Sequence, residues 1–344
     1  MAKLPLSIIT GFLGSGKTTL LAEILAVHRG ARLAVIVNEF GEVGLDHSLL
    51  SGGLYEASAE VLLLSGGCAC CNKQPDLIRA LRELLNQESL PTHILLESTG
   101  LANPAHIIFS LLSDPLLANR LYVAQIITCV DCSQAALHLK NHEAQAQLSA
   151  ADRIVLTKHE LVENLASIKA LLSSYIPLLS PILKSELDLA SILDPIDSKP
   201  SIPSYGDIEG QGMATKPALS PKEQASQNLT AAHLSPPSSL SLRLKGKLDW
   251  IALGVWLSLL LHRWGEELLR IKGLVQTSEG PVALNAVQHL IHPPTHLKGR
   301  LEGEGRLVFI FRDPLGRLTK ASLLASFRIF LSRWAEDLDF EVVA

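Results

Sequence analysis

The stretch Gly11-Phe12-Leu13-Gly14-Ser15-Gly16-Lys17-Thr18-Thr19 leaves this chain few folds to choose from. The apolar run Leu4 to Ile9 precedes it and reads as a strand; Leu20 to Val27 follows and reads as a helix. Strand, glycine-rich loop and helix in that order make a phosphate-binding loop. Gly11, Gly14 and Gly16 let the backbone curl into a concave nest whose N–H groups point at phosphate oxygens, and the positive end of the next helix reinforces them. Lys17 is placed to reach β- and γ-phosphates and the Thr18 hydroxyl to coordinate Mg²⁺, with Ser15 and Thr19 completing the cradle. A plain glycine turn has no need of Lys-Thr directly after its last glycine.

From Leu4 to about Leu187 short apolar runs alternate with helical stretches, the pattern of a parallel sheet covered by helices. The fold class expected is α/β: a P-loop NTPase with a mostly parallel sheet flanked by helices, plus a small α+β C-terminal domain. Candidate strands are Ser7–Ile9, Leu33–Val37, Val61–Leu64, His93–Leu96, Ala124–Val130 and Arg153–Leu156. Functional residues belong just past their carboxyl ends, and polar clusters stand there in five cases. The expected boundaries are 1–188 for the nucleotide domain, 189–239 for a linker rich in Pro, Ser and Gly, and 240–344 for the second domain. In that last part Leu240–Leu244, Leu268–Gln276, Val282–His289 and Arg306–Arg312 read as strands. Trp250–Trp264 and Lys320–Trp334 read as helices.

Composition narrows the classes further. The 344 residues are 47% hydrophobic with a net charge of −4, enough for two cores and without the basic excess of a general nucleic-acid binder. No secretory signal is expected, because the apolar start runs straight into the phosphate loop. Ile251 to Leu261 is too short to cross a bilayer and reads as a buried helix. Five cysteines, three of them within Cys68 to Cys71, suit a reducing cytoplasm better than a disulfide framework.

Glu97 closes the run His93-Ile94-Leu95-Leu96, where P-loop proteins carry the acid that acts on Mg²⁺ or its water. Gly100 can offer a backbone N–H to the γ-phosphate and swing when that phosphate leaves. Thr157-Lys158-His159-Glu160 is like the base-reading element of GTPases, in which a carboxylate takes the guanine N–H groups; here Glu160 keeps the carboxylate and Thr157 replaces the usual amide. Cys68-Ala69-Cys70-Cys71, after Gly66-Gly67, can offer three thiolates to a tetrahedral ion such as Zn²⁺. Glu39, Glu42, a histidine or water could supply a fourth ligand. Glu39 and Glu42 lie where switch I falls in nucleotide-dependent switches. Cys129-Val130-Asp131-Cys132 carries little weight, since one thiol alone is expected to be exposed. His289, His292 and His296 read as solvated or core residues.

Taken together, Gly11–Thr19, Asn38-Glu39-Phe40-Gly41-Glu42, Gly67–Cys71, Glu97–Pro104 and Ala151–Lys158 resemble the CobW-type metallochaperone GTPases. Leu269–Leu274, Gln288-His289 and Val308-Phe309-Ile310 resemble that family's second domain. The resemblance implies slow GTP hydrolysis to GDP coupled to delivery of Zn²⁺ to a client metalloprotein, with Co²⁺ or Fe²⁺ as alternative cargo. By matched positions, the resemblance implies that Lys17 and Thr18 serve phosphate and Mg²⁺, that Glu97 acts on the Mg²⁺ and water side, and that Cys68, Cys70 and Cys71 bind transferred metal. Asn103 departs from the acid usual before the proline, as do Thr157 and Glu160 from the usual base reader. Three other readings stay open on the sequence: a zinc-buffering or sensing nucleotide binder, a GTPase assisting cobalt insertion in cobalamin biosynthesis, and an ATP-using kinase or ATPase. No nucleic acid or membrane partner is expected; a homo-oligomer is compatible with the sequence.

Overall fold

The computed structural model describes residues 3–28, 31–38, 59–64, 74–176, 179–194, 237–291, 294–299, 301, 303–312, 317–331 and 338–343. Two compact units divide the chain: Met1–Leu172 with Ser180–Ile196, and Ser173–Leu179 with Asp197–Ala344. In chain order the first elements are β1 (Leu4–Thr10), α1 (Lys17–Val27), β2 (Leu33–Asn38), β3 (Ala59–Leu64), α2 (Gln74–Leu85), β4 (His93–Glu97), α3 (Pro104–Ser113) and α4 (Pro115–Arg120). There follow β5 (Leu121–Asp131), α5 (Ala135–His138), α6 (His142–Ala150), β6 (Arg153–Thr157), α7 (Leu165–Tyr175) and β7 (Ile182–Leu183).

The seven strands form one sheet in the order β3-β2-β4-β1-β5-β6-β7, and every described pairing in it is parallel. Parallel strands are covered on both faces, so they read as continuous apolar runs. Ile8, Ile9, Val35, Leu95, Ile127 and Val155 are all fully buried. Onto Ile9, Val35, Leu95, Ile127 and Val155 α1 lays Leu20, Leu21, Ile24 and Leu25. Each such side chain contributes about 1.5–3 kcal/mol, which fixes the helix start against the end of β1. Leu189 to Leu193, read from sequence as the beginning of the linker, also packs here: Ile192 is fully buried in the same cluster. The carbonyl of Ile192 accepts from Gln125 Nε2 and that of Leu189 bonds His28 Nε2 at 2.9 Å. Residues 195–236 lie outside the described residues.

In the second unit β8 (Ser238–Lys245), α8 (Trp250–Trp264), β9 (Leu268–Thr277), β10 (Gly280–Val287), β11 (Leu290–Ile291), β12 (Thr295–His296), β13 (Gly305–Phe311), α9 (Lys320–Leu331) and β14 (Asp339–Val343) follow in order. The strands make an antiparallel sheet, β11-β10-β9-β13-β8-β14, with β12 on β10. Asp249 caps α8, its carboxylate accepting the Ala252 N–H at 2.7 Å. Burial of α8 is one-sided, against the reading of it as a buried helix: Leu253, Trp256, Leu257, Leu260 and Leu261 face the core, while Ile251, Val255 and Leu259 are exposed. Trp256 meets Phe309 and Phe327 edge to face and donates its indole N–H to Ser326. β10 stops at Val287 rather than His289, because Gln288 takes a left-handed turn with φ of 51°. Among the described residues no helix is long and apolar enough to cross a membrane.

Candidate functional site

Four adjacent strands, β4, β1, β5 and β6, end on one edge of the first sheet, about 4.8 Å apart from neighbour to neighbour. Their last residues are Glu97, Thr10, Asp131 and Thr157. Past Thr10 the loop turns on Gly14 and Gly16, at φ of 70° and 84°, and Ser15 N–H closes it by donating to the Phe12 carbonyl at 3.1 Å. The helix begins at Lys17, three residues earlier than its apolar spacing indicates, and no side chain caps it. The loop thus meets the positive end of the helix dipole, which favours an anion there.

The polar groups converge on this loop. Lys17, largely buried, donates from Nζ to the Phe12 carbonyl at 3.1 Å. Thr18 Oγ1 donates to Glu97 Oε1 at 2.7 Å, which places a hydroxyl and a carboxylate oxygen side by side. Two hard oxygen donors are the set that Mg²⁺ selects. Ser98 ties the end of β4 to β1, its hydroxyl donating to Thr10 Oγ1 at 2.8 Å and its N–H to Ile9 at 2.9 Å. The hydroxyls of Ser15 and Thr99 are buried without a hydrogen-bond partner, donors for which a polyphosphate has acceptors. Gly100 lies so close to the loop that a Cβ there would stand 2.8 Å from Leu13 N. Asn103, in place of the usual acid, caps α3 by accepting the Ala105 N–H at 3.0 Å.

The far side of the loop is held by β5 and β6. Thr157 Oγ1 donates to the Ser15 carbonyl at 2.8 Å, with the Val130 carbonyl at 3.2 Å. Lys158, at φ of 51°, donates to the Gly14 carbonyl at 2.9 Å and pairs with Asp131 at 2.7 Å. Thr157 and Lys158 thus brace the phosphate loop, and of the expected base readers Glu160 keeps an exposed carboxylate. Asp131 was not singled out by sequence. The signal available was an acid closing a long apolar strand, the same signal that marks Glu97. Burial works to raise the Asp131 pKa, but Lys158 together with the Ser133 hydroxyl and N–H outweighs it and holds the carboxyl below its ordinary value. A depressed carboxyl pKa contributes above the ordinary value, near 3.9, and its contribution is lost as pH falls through the folded value. The brace is therefore intact from pH 5 to 8. Discounted for the partial exposure of Lys158, its loss in Asp131→Asn corresponds to about 1 kcal/mol, roughly a fivefold weaker GDP affinity by calorimetry; equal affinities would remove Asp131 from the site.

Both cysteines of Cys129-Val130-Asp131-Cys132 are buried, which corrects the expectation of one exposed thiol. Burial pushes the Cys129 pKa up to about 12, and burial with Asp131 beside it pushes Cys132 up to about 11. Neither offers a thiolate near neutral pH. Cys68, Cys70, Cys71, Glu39 and Glu42 lie outside the described residues. The strands that lead to them, β3 and β2, run parallel to β1 and end on its edge of the sheet.

With this geometry in view, two family models match the chain: "CobW/HypB/UreG, nucleotide-binding domain" over residues 5–176 and "Cobalamin synthesis protein cobW C-terminal domain" over 238–330. A zinc chaperone CobW from Sinorhizobium sp is 36% identical over 186 residues, 47% of this chain and 52% of that protein. The zinc-regulated GTPase metalloprotein activator 1 of Schizosaccharomyces pombe is 38% identical over 167 residues, 46% and 40% of the two chains. The zinc chaperone YjiA of Escherichia coli is 36% identical over 182 residues, 49% and 56%. The matches therefore span about half the length of these curated relatives. The crystal structure of Zn(II)-bound YjiA GTPase from E. coli aligns over 96% of this chain and 99% of its own, with a TM-score of 0.62 at 24% identity, a likeness of fold.

Proposed function

The chain belongs to the CobW/HypB/UreG family, and from that premise we propose that it is a cytoplasmic GTPase metallochaperone that couples GTP binding and hydrolysis to delivery of zinc to a client metalloprotein. The observation that carries the proposal is the rim itself. Lys17, the Thr18–Glu97 pair and the Thr157–Lys158 brace all act on one loop at the ends of adjacent strands. In this reading the loop amides and Lys17 cradle the triphosphate, Lys17 exchanging the Phe12 carbonyl for phosphate oxygens. Thr18 and Glu97 would hold Mg²⁺, which when bound neutralises charge on the phosphates. Glu97 orders water on that side, Gly100 presents its N–H to the γ-phosphate, and Glu160 reads the guanine edge.

Zinc is the cargo. Cys68, Cys70 and Cys71, with Glu39 or Glu42, are its proposed ligands, on the segments that leave β3 and β2 at the nucleotide edge. A γ-phosphate that orders loops at that edge changes how well those ligands can converge. Titrating Zn²⁺, and Co²⁺ and Fe²⁺ in parallel, into the protein bound to GDP or to a non-hydrolysable GTP analogue tests the coupling. Tenfold or greater difference in zinc affinity between the two nucleotide states is expected. Equal affinities, or hydrolysis of ATP at the rate of GTP, would overturn the assignment.

A further inference from the structure

The turn carrying Gly100 is gripped by a residue outside every sequence motif. Gln147, fully buried on α6, donates from its one Nε2 to two carbonyls of that turn, Gly100 at 2.9 Å and Ala102 at 3.0 Å. Its main-chain carbonyl accepts the Thr128 hydroxyl at 3.0 Å, which locks that stretch of α6 to β5. The turn is closed internally by the Ala102 N–H donating to Thr99 at 3.1 Å, and its other face meets the Leu13 backbone. Gly100 is thus held between the phosphate loop and a single amide.

The direction of that amide is not a free choice. Rotated by half a turn, Gln147 would set its oxygen against two carbonyl oxygens, so the NH₂ group must face the turn. In that orientation Oε1 is buried and has no hydrogen-bond partner. A buried acceptor left unsatisfied is rare and calls for a reason; here the reason is that both donors are committed to the turn. Gln147 also lines a cavity of about 20 Å³ with Phe12, Thr128 and His138. Phe12 belongs to the phosphate loop and meets His138 with the rings tilted at 49° and centroids 4.8 Å apart.

We propose that Gln147 is the positioning residue of the Gly100 turn: its paired hydrogen bonds set the pose of the peptide that meets the γ-phosphate, and so set how strongly the protein distinguishes GTP from GDP. The inference rests on the GTPase reading for its nucleotide consequence and on geometry alone for the grip on the turn. The Gln147 amide donates to the carbonyls of the turn. It acts through Gly100, and through α6 it joins that turn to β5, whose last residue Asp131 pairs with Lys158.

Gln147→Met keeps the length of the side chain and removes both donors; Gln147→Glu keeps the shape and donates one hydrogen when protonated. Hydrogen exchange of the full chain without nucleotide reads the grip directly. Amides of residues 99–103 should exchange at least tenfold faster in Gln147→Met, with residues 14–20 unchanged. With nucleotide, the affinity for a GTP analogue should fall about tenfold and that for GDP by less than twofold, because GDP lacks the group that meets Gly100. In Gln147→Glu the discrimination should recover as pH falls through the pKa of the buried carboxyl, a profile that a purely structural role does not give. Unchanged exchange in the turn, or equal losses for GTP analogue and GDP, overturns the proposal. Wild-type protein that binds no guanine nucleotide sinks the GTPase reading instead, and the exchange measurement still decides the grip.

Discussion

Lys17→Ala is expected to cut kcat for GTP hydrolysis by about 10²–10³-fold, the effect of removing one preorganised charge-stabilising donor from a site of this kind. The Lys17 side chain is largely buried and its ammonium is held by the loop it serves, at 3.1 Å from the Phe12 carbonyl. On the proposed reading it would reach a phosphate by exchanging one oxygen for another. Lys17→Arg should rescue poorly, since a planar guanidinium cannot replace a compact ammonium threaded through a tight turn. Zinc affinity of the nucleotide-free variant should stay within twofold of wild type, because the proposed thiolate ligands lie beyond β3, whereas Lys17 opens α1. Single-turnover hydrolysis and a zinc titration measure the two sides. Retained turnover in Lys17→Ala would place catalysis elsewhere in the molecule.

Among the described residues, the phosphate loop and the acid at the end of β4 were legible in continuous sequence, and the contacts made across long separations were not. The phosphate loop could be read because glycine spacing, lysine and threonine are local requirements of one turn. Glu97 could be read because an acid at the end of an apolar run is visible without partners. Thr157 reads as part of the base-reading element from its motif; that its hydroxyl also bonds Ser15, 142 positions earlier, is not visible there. That brace exists because the order β1-β5-β6 sets Thr157 behind the loop, and strand order is not written in any window of residues. Gln147 sits 47 positions from Gly100 and lies in a helix whose sequence, His-Glu-Ala-Gln-Ala-Gln-Leu-Ser-Ala, has little apolar stripe, so periodicity made it an ordinary polar residue. The same limit applies to α8. Its composition indicated a helix and its length fixed the ends, but an apolar run with Ile251, Val255 and Leu259 among its members cannot say which face meets the sheet. The strand β14 had no turn signal of its own and became a strand by pairing with the edge of β8.

Gly100→Ala carries the second large effect, and its origin is steric. A Cβ at this position would stand 2.7 Å from Leu13 Cδ2, 2.8 Å from Leu13 N and 2.9 Å from Leu13 Cα. The Leu13 side chain could rotate away, but its backbone is part of the phosphate loop and cannot yield without disturbing the cradle. The turn must therefore move outward, by several tenths of an ångström to about an ångström, against the two hydrogen bonds from Gln147. A displacement of that size at a group that aligns the reacting phosphate costs on the order of 10²-fold in rate. GDP affinity should change by less than threefold, since the loop amides and the Thr157–Lys158 brace are untouched. Thermal stability should fall by no more than the strain on those two hydrogen bonds, because Gly100 itself carries no side chain that the substitution removes from the core. The pair Gly100→Ala and Gln147→Met should be less than additive in kcat, because each releases the turn from one of the same two constraints. Full additivity would mean that the two residues act on different steps, and an unchanged kcat in Gly100→Ala would mean that the N–H of this turn does not meet the γ-phosphate at all.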